Sequence, residues 1–211
     1  MTPKTTPSEG ESKGAVVVQR RLGGRSARVR HAVLQATLVA LGEMGPDALT
    51  FSEGGRRSGV HATSIQRRWG SRENVILDAL LDASNLRIAI PDTGTLREDM
   101  ISLVRSLTNY VTSTLGDGIV RMMAGGRDNP ALAATRAAFY KARFDSAGVI
   151  IDRAISRGEL RRGIEPKLVL EILCGPIYFR VLMTRELIDD RFIEAIVDVA
   201  LEGIQRSLAP D

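Results

Sequence analysis

The sequence contains few of the residues that bind metals or form disulfide bonds. It has one cysteine, Cys174, and two histidines, His31 and His61, among 211 residues. One cysteine cannot form an internal disulfide, and two histidines without further cysteines do not make a zinc site. We therefore expect no metal and no other cofactor, and a reducing, cytoplasmic environment.

Long apolar runs are also missing. The amino-terminal stretch has no apolar segment of the about 7–15 residues that a secretory signal needs. No later run reaches the roughly 18 apolar residues of a membrane span. We expect neither export nor insertion into a membrane.

Sequence motifs of common enzyme classes are missing as well. The chain has no glycine-rich phosphate loop followed by Lys-Ser/Thr and no nucleophile elbow. Carboxylates at helical spacing from basic residues, or at helix starts, more often form surface ion pairs than catalytic sites. This applies to Asp145, Asp152, Glu159 and Asp189-Asp190. We expect no catalytic residues and no enzymatic activity.

Positive charge is concentrated at the amino end. Residues 1–90 hold 13 Lys+Arg and 8 Asp+Glu, a net +5, whereas residues 91–211 hold 16 and 17, a net −1. Six basic residues and no acid lie between Lys13 and Arg30. Such a segment suits a polyanionic partner. Residues 1–24, rich in Thr, Pro, Ser and Gly, are predicted to be a flexible basic arm.

From Arg25 onward, apolar residues recur every three or four positions, the spacing of amphipathic helices. No strand-like alternation is sustained, so the chain is predicted to be all-α. Pro91-Asp92-Thr93-Gly94 interrupts the helices and divides the chain into units of residues 25–90 and 91–211. Within the second unit, Gly116 is expected to end a helix and Gly175-Pro176 to kink or interrupt another.

Residues 50–69 indicate two short helices joined by a tight turn. Thr50-Phe51-Ser52-Glu53 matches a capping box, in which the Thr50 hydroxyl and the Glu53 carboxylate satisfy free amides reciprocally. Gly59 then opens the turn. In the following helix Ile65 and Trp69 are four residues apart and form the inner side, so that the neighbouring polar and basic side chains face outward. This is the geometry of a helix-turn-helix, which places its second helix in the major groove of DNA.

The residues of this region resemble the tetracycline-repressor (TetR) family of bacterial transcription regulators. The resemblance rests on Arg30, Gly45 and Thr50, and above all on the block SGVHATSIQRRWGSRE, residues 58–73. In that family a glycine-valine turn leads into the recognition helix, an aromatic residue closes it, and a basic residue caps the next helix beside a phosphate. The resemblance covers about residues 25–80.

The resemblance implies a role for each position of the block. The recognition helix would be anchored by Val60, Ile65 and Trp69. The residues implied to face bases are Ala62, Thr63, Ser64 and Arg67, and those implied to lie near phosphates are Thr50, Gln66, Arg68 and Arg72. Arginine binds guanine through two hydrogen bonds, so Arg67 is the expected main reader.

Two departures from the family pattern leave an alternative open. Gln66 stands where the family usually has tyrosine, and Gly54-Gly55 stand where it prefers a large aliphatic residue followed by alanine. Each glycine inside a helix costs about 0.5–1 kcal/mol relative to alanine. The alternative is therefore a helical dimer that senses a ligand or partner through a degenerate DNA-binding head.

The second unit is predicted to bind an effector and a second copy of the chain. As the resemblance implies, an internal pocket would be lined by Tyr110, Met122, Met123, Phe139, Tyr140, Phe144 and Tyr178. No residue pattern fixes the chemical class of the effector. Two late helices are apolar over broad faces, which predicts a dimer contact; its expected residues are Leu173, Ile177, Val181, Ile193, Ile196, Val197, Ala200 and Ile204.

Together these features predict a homodimeric, ligand-responsive repressor. It would bind double-stranded DNA at a palindromic operator, associate with the nucleoid when bound, and be released by a small molecule. The first rival is the degenerate head described above, and the second is a small helical enzyme, for which no set of catalytic residues is found.

Overall fold

A computed structural model describes residues 24–125 and 129–207 of the chain. These residues form α-helices joined by short loops, and the two ranges contain no strand. The all-α prediction is confirmed. The predicted basic arm lies outside the described residues except for Gly24, which begins the first helix.

Nine α-helices and one π-helical turn follow each other within the described ranges. They are α1 (Gly24–Met44), α2 (Phe51–Ser58), α3 (Ala62–Trp69), α4 (Arg72–Arg87), α5 (Leu96–Val111), α6 (Thr114–Gly125), α7 (Pro130–Ser156), α8 (Pro166–Phe179), the π-helical turn (Arg180–Thr184) and α9 (Asp190–Ser207).

The first four helices form a head with a small core of its own. Val33 of α1, Ile65 of α3 and Val75 of α4 are buried together at its centre. The outer face of α4 meets a second, larger core, to which Ile76 and Leu80 contribute. Helix α4 is therefore shared between the head and the remaining helices, which pack as a bundle around α5, α7, α8 and α9.

Side-chain caps fix the starts of α2 and α4. The Thr50 hydroxyl accepts a hydrogen bond from the Glu53 amide at 3.1 Å, and the Ser71 hydroxyl accepts one from the Asn74 amide at 3.2 Å. One half of the predicted capping box is thus present. The Glu53 carboxylate, however, accepts hydrogen bonds from Arg56 on the same helix, so it stabilises α2 through ion pairing.

Gly116 does not end a helix, contrary to the expectation from sequence. Helix α5 ends at Val111, and Gly116 lies buried in the first turn of α6. A Cβ atom at Gly116 would overlap the carbonyl oxygen of Tyr110. The glycine is therefore explained by the close approach of α6 to the end of α5 and not by helix termination.

Pro176 does not interrupt its helix either. Helix α8 continues through Pro176 to Phe179 and is followed directly by the π-helical turn. The flanking residues Leu173 and Ile177 are fully buried. Their packing holds this stretch helical, although proline donates no backbone hydrogen bond.

None of the helices in the described ranges is both long enough and apolar enough to cross a membrane.

Candidate nucleic-acid interface and internal cavity

The turn between α2 and α3 brings their backbones very close together. Gly59 has φ 70°, a left-handed conformation that favours glycine. A Cβ atom at Gly55 would lie only 2.7 Å from the carbonyl oxygen of Val60. Glycine at position 55 therefore allows the two helices to cross, whereas Gly54 is buried at ordinary contact distance from Ile65.

Helix α3 presents one polar face to solvent. Thr63, Gln66, Arg67 and Arg68 are exposed, and Ala62 and Ser64 are half-buried. Within the described part of the chain, Arg67 has no ion pair or hydrogen-bonded side-chain partner. The structure thus brings the four residues expected to face bases, Ala62, Thr63, Ser64 and Arg67, onto one short helix.

The three expected anchors hold α3 from its other side. Ile65 is 1% exposed, while Val60 and Trp69 are half-buried and pack against the same small core. The Trp69 indole nitrogen donates a hydrogen bond to Oδ2 of Asp78 at 2.9 Å. The Asn74 side chain donates to the Trp69 carbonyl oxygen at 2.7 Å. Both ends of the Trp69 residue are therefore bonded to α4.

A charged cluster on α1 and α4, which the sequence reading missed, supports Trp69. Arg30 donates to Asp78 from two nitrogen atoms and to Oδ1 of Asp82 at 2.7 Å. Burial opposes the charged form of Asp78, but the hydrogen bonds from Arg30 and Trp69 outweigh it and lower the pKa of this carboxyl. Two acids four residues apart on α4, opposite one arginine of α1, are the sequence signal for this cluster.

Three of the four residues expected near phosphates, Thr50, Arg68 and Arg72, have partners of their own. Thr50 caps α2. The Arg68 guanidinium donates to the Ser26 hydroxyl at 3.1 Å and lies 5.1 Å from the centre of the Trp69 ring. Arg72 donates to Oε1 of Glu73 at 2.7 Å. Of the four, Gln66 and Arg68 lie on α3 itself, and Thr50 and Arg72 lie at helix starts beside it.

An internal cavity of about 60 Å³ lies between α5, α6, α7 and α8. Six of the seven expected pocket residues line it: Tyr110, Met123, Phe139, Tyr140, Phe144 and Tyr178. Met122 does not. It is half-buried and packs against the core beside the cavity, because its neighbour Met123 occupies the inward position on α6.

Arg143 is the charged residue of the cavity wall, and the sequence reading did not single it out. It occupies the buried face of α7, four residues after Phe139 and four before Ala147. Its guanidinium donates to Oδ1 of Asn85 at 2.6 Å and to the carbonyl oxygen of Ile88 at 3.0 Å. Burial lowers the pKa of Arg143. An arginine within an apolar stripe was the signal that could have identified it.

Two further groups in the cavity wall are shaped by burial. The Tyr110 hydroxyl is buried and has no hydrogen-bond partner, and burial raises the pKa of Tyr110. Burial raises the pKa of the Cys174 thiol to about 12, so this thiol stays protonated at neutral pH. Neither group has the depressed pKa of an activated nucleophile.

The sequence is similar to known helix-turn-helix regulators along most of its length. The HTH-type transcriptional regulator AqdR of Rhodococcus erythropolis is 32% identical over 157 residues, which are 74% of this chain and 76% of AqdR. The uncharacterized HTH-type transcriptional regulator YdeS of Bacillus subtilis (strain 168) is 28% identical over 188 residues, 89% of this chain and 95% of YdeS.

A comparison of folds and a family model for the second half of the chain point to the same class of regulator. The TetR family transcription regulator SCO0332 has a crystal structure that matches with a TM-score of 0.69 at 31% identity, covering 87% of this chain and 100% of that one. A family model described as the tetracyclin repressor-like C-terminal domain matches residues 90–200. The chain belongs to the TetR family. It is thus a ligand-responsive, DNA-binding regulator of transcription, as the sequence resemblance predicted.

The structure places most of the residues expected at a dimer contact inside the single chain. Of the eight expected residues, only Ile196 is partly accessible, and the other seven are buried inside the single chain: Leu173, Ile177, Val181, Ile193, Val197, Ala200 and Ile204. The apolar stripe of each helix faces its own bundle, because α5 packs against α9 and α7 packs against α8.

The exposed side of α8 carries a different apolar stripe. Leu168 and Ile172 are each 52% exposed, and Phe179 is 57% exposed. Their spacing of four and seven residues places them on one side of the helix. Gly175 lies between them, with open space where its Cβ atom would be.

Proposed function

We propose that this TetR-family chain is a homodimeric repressor that binds a palindromic operator. Each subunit inserts α3 into the major groove, and the two recognition helices lie about 34–36 Å apart, in successive grooves. A small-molecule effector bound in the cavity releases the protein from DNA. As a regulator of this kind it acts in the cytoplasm, at the nucleoid, and by binding rather than by catalysis.

One observation carries the proposal: α3 is packed against the head on one side and exposed to solvent on the other. Ile65 and Trp69 fix its inner side, whereas Thr63 and Arg67 are exposed on the other. Arginine can bind O6 and N7 of guanine with two hydrogen bonds, which discriminates against a wrong base by about 1–3 kcal/mol. Arg67 is our candidate for this contact, and Arg68 our candidate for a neighbouring phosphate.

The glycine pair of α2 supports an intact head rather than a degenerate one. The close approach of Gly55 to the Val60 carbonyl oxygen gives this glycine a structural role in the crossing of α2 and α3. Gly54 lies inside the head core, beside Ile65. Both glycines are therefore compatible with a folded helix-turn-helix.

The exposed stripe of α8 supports a homodimer. Leu168, Ile172 and Phe179 form an apolar surface that a second copy of the same helix can cover, and Gly175 lets two helix backbones approach closely. Two-fold symmetry of the dimer then requires two-fold symmetry of the operator.

The test is fluorescence anisotropy with labelled duplexes from the DNA upstream of the chain's own gene. The wild-type protein is expected to bind one such duplex with submicromolar affinity and to prefer it over a scrambled duplex. Arg67→Ala is expected to lose most of this preference. Arg162→Ala removes the same charge from the loop between α7 and α8 and serves as the matched control. Equal binding of all duplexes by the wild type, or an unchanged preference in Arg67→Ala, contradicts the assignment.

A further inference from the structure

We propose that the effector is an apolar molecule with one anionic oxygen group, such as a carboxylate, and that Arg143 and Tyr110 bind this group inside the cavity. The inference rests on the proposed function, because it names the ligand class of the cavity to which that proposal assigns regulation.

Arg143 provides a buried positive charge that is not neutralised. The residue is 9% exposed, and its two hydrogen bonds go to neutral oxygen atoms, Oδ1 of Asn85 and the carbonyl oxygen of Ile88. In the part of the chain that the structure describes, no carboxylate lies within 4.0 Å of this guanidinium. A charge removed from water is stabilised by an opposite charge in the same low-dielectric site. An anionic ligand group provides it.

Tyr110 provides a hydrogen-bond donor without an acceptor. Its side chain is 5% exposed, and the hydroxyl has no partner in the described residues. Burial raises the pKa of Tyr110, and the positive charges of Arg87 and Arg143 oppose this rise. Tyr110 and Arg143 line the same cavity of about 60 Å³, so one oxygen-bearing ligand group can satisfy both.

The remaining cavity wall selects an apolar ligand body. It is formed by aliphatic, aromatic and thioether side chains, among them Leu103, Leu107, Val111, Met123 and Leu170. Its other polar side-chain groups are the Tyr140 and Tyr178 hydroxyls and the Cys174 thiol. These give too few partners for the several hydroxyl groups of a sugar and no opposite charge for a second ligand charge, so such groups would be buried unpaired. The cavity therefore favours a ligand with one anionic end, near Arg143 and Tyr110, and an otherwise apolar body.

The cavity is too small for a whole ligand of this kind. Its volume of about 60 Å³ is well below the about 300–1,000 Å³ of pockets that hold drug-sized molecules. Four side chains, Tyr140, Phe144, Cys174 and Tyr178, line both the cavity and an open groove between α7 and α8. Displacement of these side chains joins the two spaces, so the anionic group reaches Arg143 while the apolar body extends into the groove.

The same guanidinium connects the cavity to the DNA-binding head. Asn85 lies in the last turn of α4, and Ile88 directly follows that helix. A ligand anion that binds Arg143 attracts the same guanidinium group that holds these two residues. Ligand binding is thereby linked to the position of the end of α4.

Pairs of probes that differ only in the anionic group test the ligand class on the full-length protein. The probes are decanoate with decanamide and methyl decanoate, and 2-naphthoate with 2-naphthamide. Binding is measured as the increase in the melting temperature, followed by circular dichroism, and as release from the operator duplex. Each carboxylate is expected to bind at least about tenfold more tightly than its neutral counterparts, the effect of one hydrogen bond to a charged group.

Variants then test the two residues. Arg143→Gln is expected to reduce the preference for carboxylate to about onefold, and Arg143→Lys to keep part of it, because the charge remains. Tyr110→Phe is expected to weaken carboxylate binding about tenfold with little effect on the neutral probes. Arg136→Gln is the matched control: this arginine lies on the same helix, but it binds the Met123 carbonyl oxygen and does not line the cavity.

The inference is overturned if the neutral probes bind wild type as tightly as the carboxylates, or if no probe binds. If Arg143→Gln fails to fold, the probe pairs on the wild type and Tyr110→Phe still decide. Operator binding measured without any probe tests the proposed function separately. Specific DNA binding without a preference for carboxylates overturns only the ligand class, and a preference for carboxylates without DNA binding overturns only the proposed regulator.

Discussion

The indole nitrogen of Trp69 and Oδ2 of Asp78 lie 2.9 Å apart, so that the last residue of α3 is hydrogen-bonded to the middle of α4. Asp78 also accepts hydrogen bonds from Arg30 of α1. One carboxylate therefore joins three helices of the head, and the orientation of the recognition helix depends on it.

Replacing Trp69 with phenylalanine tests this connection. Trp69→Phe keeps an aromatic ring in the core but removes the donor to Asp78, which stays paired with Arg30. We expect the free energy of unfolding to fall by about 1 kcal/mol, the usual net contribution of one hydrogen bond, and operator affinity to fall several-fold. Urea unfolding followed by circular dichroism, with anisotropy for DNA, measures both. Unchanged stability and affinity would show that packing alone positions α3.

The two adjacent glycines of α2 are expected to respond in opposite directions to alanine. In Gly54→Ala the new methyl group meets Ile65 Cδ1 at 3.8 Å, and the helix gains about 0.5–1 kcal/mol of intrinsic stability. In Gly55→Ala the methyl group lies 2.7 Å from the Val60 carbonyl oxygen, so we expect a loss of at least about 1 kcal/mol. The urea midpoint of each variant is compared with that of the wild type, and each variant serves as the control for the other. Stabilisation by both substitutions would be inconsistent with the close crossing of α2 and α3.

Salt dependence separates a phosphate contact from a base contact on α3. If Arg68 neutralises one phosphate, Arg68→Ala should make the slope of log affinity against log salt shallower by about 0.9. Gln66 is exposed on the same helix but uncharged, so Gln66→Ala should leave the slope unchanged. Anisotropy titrations at several salt concentrations give both slopes. An Arg68→Ala slope equal to that of the wild type would remove Arg68 from the phosphate contacts.

Acidic residues on the exposed stripe of α8 should separate the two subunits without unfolding them. Ile172→Asp and Phe179→Asp place a charge on side chains that are more than half exposed in the single chain. We expect monomers with a wild-type circular dichroism spectrum. Sedimentation velocity provides the mass. Leu86→Asp, on a 72% exposed residue of α4, is the control that should remain dimeric. Leu173→Asp should instead unfold the chain, because Leu173 is fully buried.

Acid should weaken α2 through Glu53. Hydrogen bonds from Arg56 and Arg57 lower the pKa of Glu53 to about 2, from a reference value of 4.5. Since the folded pKa lies below the unfolded one, the stabilisation is complete above the unfolded pKa and is lost as the pH falls toward the folded pKa. The measurement covers roughly pH 5 to 2, the range that includes both pKa values. Over this range the urea midpoint should fall more steeply in the wild type than in Glu53→Gln. Parallel curves for the two proteins would mean that this ion pair contributes nothing to folding.

Local sequence rules predicted the helices and the outward face of α3, but they could not predict what two distant helices share. Thr50 and Gly59 mark the two ends of α2 through their own capping preferences, and these ends appear in the structure. Gly116 is also a glycine within a helical pattern, but it marks the close contact between α5 and α6 and not the end of a helix. The sequence alone does not distinguish a glycine that ends a helix from one that is required by a contact between two helices.

The dimer face shows a second limit of sequence reading. A helix with apolar residues on most sides, such as α8, has two candidate contact surfaces, and periodicity does not say which one faces its own bundle. Leu173 and Ile177 turn inward, while Ile172 and Phe179 turn outward. Arg143 escaped notice for a related reason, because its hydrogen-bond partners, Asn85 and Ile88, lie more than fifty residues away.

Helix α4 connects the DNA-binding head to the internal cavity. Its 16 residues span about 24 Å at 1.5 Å per residue, with Asp78 holding Trp69 partway along and Arg143 gripping Asn85 and Ile88 at one end. A tilt of about 5° about one end moves the other by about 2 Å over such a length. In a symmetric pair the two displacements add to about 4 Å, compared with a groove repeat of 34–36 Å. On the proposed mechanism, a tilt of this size caused by ligand binding at Arg143 would be enough to put the two recognition helices out of register with the double helix.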